Sequence, residues 1–446
     1  MITKDKENYG FWAFLPLLVF LVVYFGGGLI YMSFGTPNPF DQIPMVVALL
    51  IGIGTTFFMG KGTLDEKMER LAVSAGQPNI IVMCFIYLLA GAFAGATSGI
   101  GGVQATVNFG LTFIPVRFII AGLFIISCFI SLAMGTSMGT AAAIAPIAVG
   151  VCNATGANPA LALGAVVGGA MFGDNLSIIS DTSIAASQGM GCHPKEKFKM
   201  NFLIALPAAI ITIILLVIQG TEGGMSGPYP YEFIKMLPYI AVLGTALMGM
   251  NVFIVLIMGT VLSSIIGLVT GTVTLAELLS AMAGGISGMQ GIVITSLSIA
   301  AMAGVAQKLG GIDWAVNVFT NKIKSQKGAE LSVAALVSLI DGALGNNTVA
   351  IIVSLPLARK IASIYDISGR RIASLLDIFS CSIQGLTIHG GQLLVAATFA
   401  NLSPVALMPY SYYQILLGVA GLGTILFIKT KKGSEVGEVI AEDEVI

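Results

Sequence analysis

The stretch Gly173-Asp174-Asn175-Leu176-Ser177-Ile178-Ile179-Ser180-Asp181-Thr182-Ser183 places two carboxylates, an amide and several hydroxyls in the middle of a chain that is otherwise hydrocarbon. Packing alone asks for none of them. An ionisable residue at membrane depth is costly and persists where it faces a cavity, an ion or a partner. Asp174 and Asp181 stand seven positions apart. On an unbroken helix that would set them about 10 Å apart along the axis, too far for one ion. Asn175, Ser177 and Ser180, with Gly168, Gly169 and Gly173 just before, predict instead a helix that unwinds here. Its freed carbonyls and side-chain oxygens then line a cavity, the one setting in which irregular backbone survives at membrane depth. The alternative from spacing alone is a polar loop at the membrane surface.

The whole chain fits that setting. Its 446 residues are 56% hydrophobic and 10% charged, with mean hydropathy +0.94, a composition foreign to soluble domains of this length. Apolar runs from Phe11 to Tyr31, Ile43 to Met59, Ile80 to Ala96, Phe202 to Ile218 and Tyr412 to Ile428 each approach the roughly 20 residues a helix needs to cross a bilayer. With interrupted segments included, an all-α polytopic membrane protein of about 10–13 transmembrane helices is expected. Cys84, Cys128, Cys152, Cys192 and Cys381 lack metal-ligand or redox spacing and read as small apolar residues. The amino terminus mixes Lys4 and Lys6 with Asp5 and Glu7 without a clear cleavage site, which predicts a retained first helix. No basic arm, zinc pattern, P-loop or nucleophile elbow occurs. Nucleic-acid binding and enzymatic chemistry are therefore not expected, no cofactor is implied, and any transport draws on an ion gradient.

The formal net charge of −1 conceals an asymmetry. Lys61, Lys67 and Arg70, Lys195, Lys197 and Lys199, Lys322, Lys324 and Lys327, and Lys429, Lys431 and Lys432 cluster in some connections, whereas Thr36 to Gln42, Gly220 to Tyr231 and Asn401 to Tyr410 carry no Lys or Arg. The positive-inside rule puts the first set, and with it both termini, in the cytoplasm of a multi-pass cell-membrane protein.

Residues 1–78 read as scaffold helices with a turn at Thr36-Pro37-Asn38-Pro39 and a charged loop, peripheral enough to serve dimerisation as an alternative role. The rest divides into a first repeat over 79–219, connecting scaffold helices over 220–274, a second repeat over 275–411, and a last transmembrane helix with a cytoplasmic tail over 412–446. The repeat rests on internal matches. Ala92, Ala94, Gly95, Gly101, Gly102 and Asn108 fall on Ala301, Ala303, Gly304, Gly310, Gly311 and Asn317 at one offset of 209 positions. Gly135-Thr136-Ser137-Met138-Gly139-Thr140, leading to Pro146, then corresponds to Gly345-Asn346-Asn347-Thr348, leading to Pro356, and Ala170-Met171-Phe172-Gly173-Asp174 to Ser382-Ile383-Gln384-Gly385-Leu386. Small polar clusters between apolar arms suit the tips of re-entrant hairpins, and paired interruptions in two halves point to a binding site. Chance matching among 55 glycines is the alternative. The second half adds Asp341, Asn346, Asn347, Asp377, Gln384 and His389. Asp377 follows the surface pair Arg370-Arg371 and is open to an interfacial reading; His389 is either a titrating site residue or a structural hydrogen-bond donor.

Together these motifs resemble the NhaC-type Na⁺/H⁺ antiporter family, within the wider ion transporter group. The resemblance is carried by Gly135-Thr136-Ser137-Met138-Gly139-Thr140, Pro146, Phe172-Gly173-Asp174-Asn175-Leu176-Ser177 and Ser180-Asp181-Thr182, followed by a short basic loop. It runs from about residue 80 to 410, anchored in the second half by Gly345-Asn346-Asn347 and Asp377. It implies two inverted repeats with paired re-entrant hairpins and broken helices, a homodimer in the lipid bilayer, and exchange of Na⁺ for H⁺. Some members of the family and its neighbours couple such ions to organic acids or amino acids instead. Two departures bear on that choice: the family commonly has Lys directly after the first Asp and Pro after the following Ser, where this chain has Asn175 and Ile178, and often Gly-Asp where this chain has Gly345-Asn346.

Na⁺ is a hard cation that prefers carboxylate, hydroxyl, amide and carbonyl oxygens. Asp174, Asn175, Ser177 and Asp181, with Thr136 and Ser137 from a facing hairpin tip, are the expected Na⁺ ligands, and protons would compete for the same carboxylates. Gly135, Ser180, Thr182 and Asp377 complete that region. Asn346, Asn347, Thr348, Gln384 and His389 form a matching neutral region, as well suited to an organic carboxylate as to an ion. The leading expectation is Na⁺/H⁺ exchange by alternating access. The second is a Na⁺- or H⁺-coupled carrier of an amino acid or small organic carboxylate.

Overall fold

The computed structural model describes residues 8–36, 42–178, 180–220, 230–320, 323 and 325–428, and every regular element among them is helical. The N-terminal charges Lys4 to Glu7, the turn at 37–39, Ile179, most of the connection Gly220 to Tyr231, Lys322 and Lys324, and the tail with Lys429, Lys431 and Lys432 lie outside the described residues. The first span, Gly10–Ser33, contains α1 (Leu15–Leu21) and α2 (Gly27–Ser33) joined through a π-helical turn. After α3 (Met45–Thr56) the expected charged loop is helical as α4 (Leu64–Ala75). Thr63 and Glu66 close a capping box that starts it, satisfying two otherwise orphaned amides.

The first half continues with α5 (Pro78–Gly99), α6 (Gly102–Phe113), α7 (Val116–Met134), α8 (Ser137–Thr155), α9 (Pro159–Leu176), α10 (Asp181–Gly189) and α11 (Pro194–Ile218). Connecting helices α12 (Phe233–Leu247), α13 (Val252–Val269) and α14 (Leu275–Gly288) lead to α15 (Gln290–Lys308), α16 (Gly311–Thr320), α17 (Gln326–Leu344), α18 (Asn347–Ile364), α19 (Gly369–Gln384), α20 (Gly391–Ala400), α21 (Pro404–Leu407) and α22 (Tyr412–Phe427). Among the described residues nine helices are long and apolar enough to cross a membrane, or ten if the pair Gly391–Ala400 and Pro404–Tyr410, bent by 100°, is one span. This is a multi-pass, all-helical membrane protein.

Left-handed glycines end two of these helices and open the way to two more. α7 and α17 are each 19 residues long and stop on Gly135 (φ +67°) and Gly345 (φ +63°), left-handed positions that glycine adopts without steric penalty. Thr136 and Asn346 then cap the next helix, their side-chain oxygens accepting from the amides of Gly139 at 3.3 Å and Val349 at 3.0 Å. Gly101 (φ +77°) and Gly310 (φ +83°) interrupt the chain in the same way before α6 and α16.

The glycines before Asp174 act differently from expectation. Gly168, Gly169 and Gly173 lie inside α9 and leave it helical; the interruption comes later, from Ser177 to Ser180. What they provide is proximity. A Cβ on Gly169 would sit 2.2 Å from the Phe124 carbonyl oxygen, and one on Gly173 2.4 Å from the Leu132 amide nitrogen. α9 therefore rests on the backbone of α7, the kind of approach that small residues permit between membrane helices. Gly169→Val should wedge the two helices apart and lower stability by about 2 kcal/mol or more, in the range of overpacked cores. Thermal unfolding of the purified variant in detergent, read against wild type, measures this.

Candidate functional site

Three helix interruptions meet around one cavity of about 320 Å³. Gly135, Thr136 and Ser137 come from the α7–α8 break, Asp174, Asp181 and Thr182 from either side of the α9–α10 break, and Asn346, Asn347 and Thr348 from the α17–α18 break. Gln392, in the first turn of α20, completes the polar wall, and Pro78, Val82, Met83 and Ile86 of α5 form an apolar one. The first residues of α8, α10, α18 and α20 thus border the same space. Free amides at such helix starts favour negative groups, while freed carbonyls at the preceding helix ends suit cations.

Asp174 is the buried anion of this wall. It is 5% exposed, and one of its carboxylate oxygens accepts a hydrogen bond from Ser137 Oγ at 2.7 Å. Its backbone carbonyl accepts from Ser180 Oγ at 2.9 Å, and Ser180 Oγ in turn accepts from the Ser183 amide at 3.2 Å to cap α10. A single hydroxyl therefore holds both ends of the broken helix. Ser137 also ties the halves together: Gln392 Nε2 donates to Ser137 Oγ at 2.9 Å, and Gln384 Nε2 donates to Gln392 Oε1 at 3.1 Å and to the Gly345 carbonyl at 2.9 Å. A hydrogen-bonded relay thus runs from the α7–α8 break to the α17–α18 break. Asp181, by contrast, is exposed to the cavity.

Behind Asp174 lies a second, closed polar cluster. Lys197, 1% exposed, directs its ammonium to the Asn175 carbonyl at 3.0 Å, to Ser183 Oγ and to Asp377, which is fully buried. Asn201 Nδ2 and Asn175 Nδ2 also donate to the same Asp377 oxygen, at 2.9 and 3.1 Å.

With this arrangement in view, comparison with known proteins is informative. The profile of the Na⁺/H⁺ antiporter family matches residues 9–221 and 233–430. The chain belongs to this family. An uncharacterized Na⁺/H⁺ antiporter of Haemophilus influenzae is 30% identical over 217 residues, 48% of this chain and 44% of that protein. Two longer matches are the malate-2H⁺/Na⁺-lactate antiporter of Bacillus subtilis, 26% identical over 91% of this chain and 94% of that one, and the Na⁺/H⁺ antiporter NhaC of Alkalihalophilus pseudofirmus, 24% identical over 86% and 89%.

Within this antiporter-family chain the cavity gathers nine of the residues singled out by sequence: Gly135, Thr136, Ser137, Asp174, Asp181, Thr182, Asn346, Asn347 and Thr348. The other six stand apart from its wall. Asn175, Ser177 and Ser180 are buried within the broken segment, and Gln384 sits in the relay. Asp377 is 0% exposed and ion-paired, which excludes the interfacial reading. His389 faces elsewhere, onto a separate cavity of about 270 Å³ walled by Phe14, Leu17, Trp314 and other apolar residues, with neither ring nitrogen hydrogen-bonded. Arg371, read as surface, is 4% exposed and pairs with buried Glu330 at 2.8 Å.

Lys197 is the residue that sequence reading missed, having been placed in a cytoplasmic loop. α11 begins eight residues before the apolar run at Phe202, capped by His193, whose Nδ1 accepts from the Lys195 amide at 3.2 Å, with Pro194 in its first turn. Pro after a capping residue is a readable helix start. Extending the helix back to it puts Lys197 and Asn201 in line with Ala205, Ala208 and Thr212, the buried stripe. It also supplies, from another helix, a positive charge at the backbone carbonyl of Asn175. Removing one member of a buried pair leaves an uncompensated charge, so Lys197→Met should cost about 3–5 kcal/mol. Combining it with Asp377→Leu should recover part of that loss. Melting temperatures of the two single variants and the double variant test this.

Proposed function

We propose that the chain exchanges Na⁺ for H⁺ by alternating access, with Na⁺ held at the cavity by Asp174, Asp181, Thr136 and Ser137 and with oxygens of Asn175 and Ser177 contributing as the break rearranges. The observation that carries this reading is the buried Asp174 carboxylate on the wall of a cavity ringed by hydroxyls and amides, the oxygen chemistry a hard monovalent cation requires. Protons compete for the same carboxylates, so that either H⁺ or Na⁺ neutralises the site before it reorients. Membership of the Na⁺/H⁺ antiporter family supports the ions chosen.

The wider architecture belongs to the same proposal. Residues 79–219 and 275–411 act as two inverted repeats whose hairpins, tipped by Gly135 and Gly345, are re-entrant. The helices over 1–78 and 220–274 are the scaffold, and 412–446 supply the last span and tail. The protein works as a homodimer in the cell membrane with both termini in the cytoplasm.

A second reading has its own support: the neutral wall of Asn346, Asn347, Thr348 and Gln392, bordered by the starts of α18 and α20, suits an organic carboxylate. A relative named for malate and lactate exchange lies in the same direction. In that reading Na⁺ or H⁺ coupling drives a small carboxylate or amino acid through the same cavity.

Proteoliposomes with a trapped pH dye separate the two. An imposed Na⁺ gradient without organic solute should move protons in wild type, and Asp174→Asn and Asp181→Asn should each lose that movement while remaining folded. Full exchange in folded Asp174→Asn rejects the site. Silence in wild type that ends on adding malate, lactate or an amino acid favours the second reading.

A further inference from the structure

The hydrogen-bonded relay between the two breaks has a fixed direction. A backbone carbonyl only accepts, so Gln384 must turn its Nε2 toward the Gly345 carbonyl, 2.9 Å away. The other hydrogen of that NH₂ group goes to Gln392 at 3.1 Å, which must therefore present Oε1. Its Nε2 is left facing Ser137 Oγ at 2.9 Å, and the serine oxygen accepts. The one proton of the Ser137 hydroxyl passes to the Asp174 carboxylate at 2.7 Å. Turning over Gln384 would set oxygen against oxygen at Gly345, and turning over Gln392 would set NH₂ against NH₂. Gln384, Gln392 and Ser137 are 1%, 3% and 3% exposed, so a wrongly turned amide would leave buried polar groups unpaired, at a cost.

This direction bears on the cation site. Gln392 lies on the cavity wall, yet the side it turns to Ser137 is its NH₂ group, which offers a cation no lone pair. Ser137 is different. Its oxygen has two lone pairs, of which Gln392 engages one. A serine side chain has three staggered positions to choose from, and at the first residue of α8 the hydrogen bonds to Asp174 and from Gln392 select one of them. A cation taken up by Asp174 competes with the Ser137 proton for the carboxylate and weakens the first of these bonds. The bond from Gln392 then keeps the oxygen in place, with its second lone pair free.

We propose that Gln392, oriented by Gln384, is a positioning residue of the cation site: it holds Ser137 Oγ beside Asp174 as a ready ligand. The orientation begins at the Gly345 carbonyl, so the cation affinity of the first-half site depends on where the α17–α18 break sits. Withdrawal of Gly345 frees the Gln384 amide, Gln392 loses its fixed sense, and Ser137 is no longer held to one position. Movement of the second half thereby loosens Na⁺ at a carboxylate that its break does not touch. The inference rests on Na⁺/H⁺ exchange at Asp174 as the underlying reading.

The test is ²²Na⁺ binding to the purified full-length protein, with Asp174→Asn as the control. Gln392→Leu should weaken binding about fivefold, the worth of one ordinary hydrogen bond, and the same change made in Ser137→Ala should weaken it no further. In proteoliposomes the loss should fall on the KM for Na⁺ and not on turnover at saturating Na⁺. Unchanged affinity in Gln392→Leu, a loss confined to turnover, or an equal loss of affinity with and without the Ser137 hydroxyl overturns the proposal, the last because it marks a merely structural role. Should Gln392→Leu not fold, Gln384→Met decides in the same two backgrounds: weaker binding that needs Ser137 supports the proposal, and unchanged or Ser137-independent binding refutes it. Wild type without saturable binding, or binding that survives in Asp174→Asn, defeats the exchange reading and this inference with it. Saturable binding that is lost in Asp174→Asn but untouched in both glutamine variants defeats the inference alone.

Discussion

The ammonium of Lys197 holds the broken helix to the rest of the protein. It reaches the Asn175 carbonyl at the end of α9, Ser183 in the first turn of α10, and Asp377 on α19, so that three helices and the start of α11 converge on one charge. A helix that ends inside a membrane leaves carbonyls without partners, each expensive in hydrocarbon. A buried cation at the end of α9 answers that cost and suits the dipole there. Asp377, the Asn175 carbonyl and Ser183 in turn satisfy the cation, while Asn201 donates to Asp377. The break can then present Asp174 to the cavity without exposing unpaired backbone to lipid.

Much of this geometry was legible in the chain. Ser and Asp between apolar arms announced the interruption at Ser177 to Ser180, and Gly-Thr and Gly-Asn pairs announced the stops at Gly135 and Gly345, because each residue type has a local conformational reason to be there. What stayed hidden depends on three-dimensional company. Lysine in a basic run reads as solvated, and only the burial of its helix face makes Lys197 a structural cation. The glycines before Asp174 read as breakers because one dimension cannot distinguish a glycine that bends a helix from one that admits a neighbour's backbone. Gln392, which joins the halves through Ser137, followed two glycines and carried no signal of its own. His389 lay in the correct segment yet turns to a different cavity.

The two walls of the cavity differ in chemistry. Its first-half wall carries carboxylates and hydroxyls, suited to cations, while its second-half wall is neutral and bordered by helix starts, suited to whatever charge the first leaves uncompensated. Changes among Asn346, Asn347 and Thr348 alter the second wall without touching the closed cluster around Lys197 that keeps the break in place.

The central claim is that a monovalent cation sits against Asp174 at the meeting of the helix breaks. A structure determined with Tl⁺ in place of Na⁺ addresses it most directly, since the heavier ion scatters strongly and keeps the same charge. The account predicts a Tl⁺ peak inside the cavity, in contact with Asp174 and the Ser137 hydroxyl and removed by excess Na⁺. A peak at a site away from Asp174, displaced by Na⁺ all the same, would contradict it.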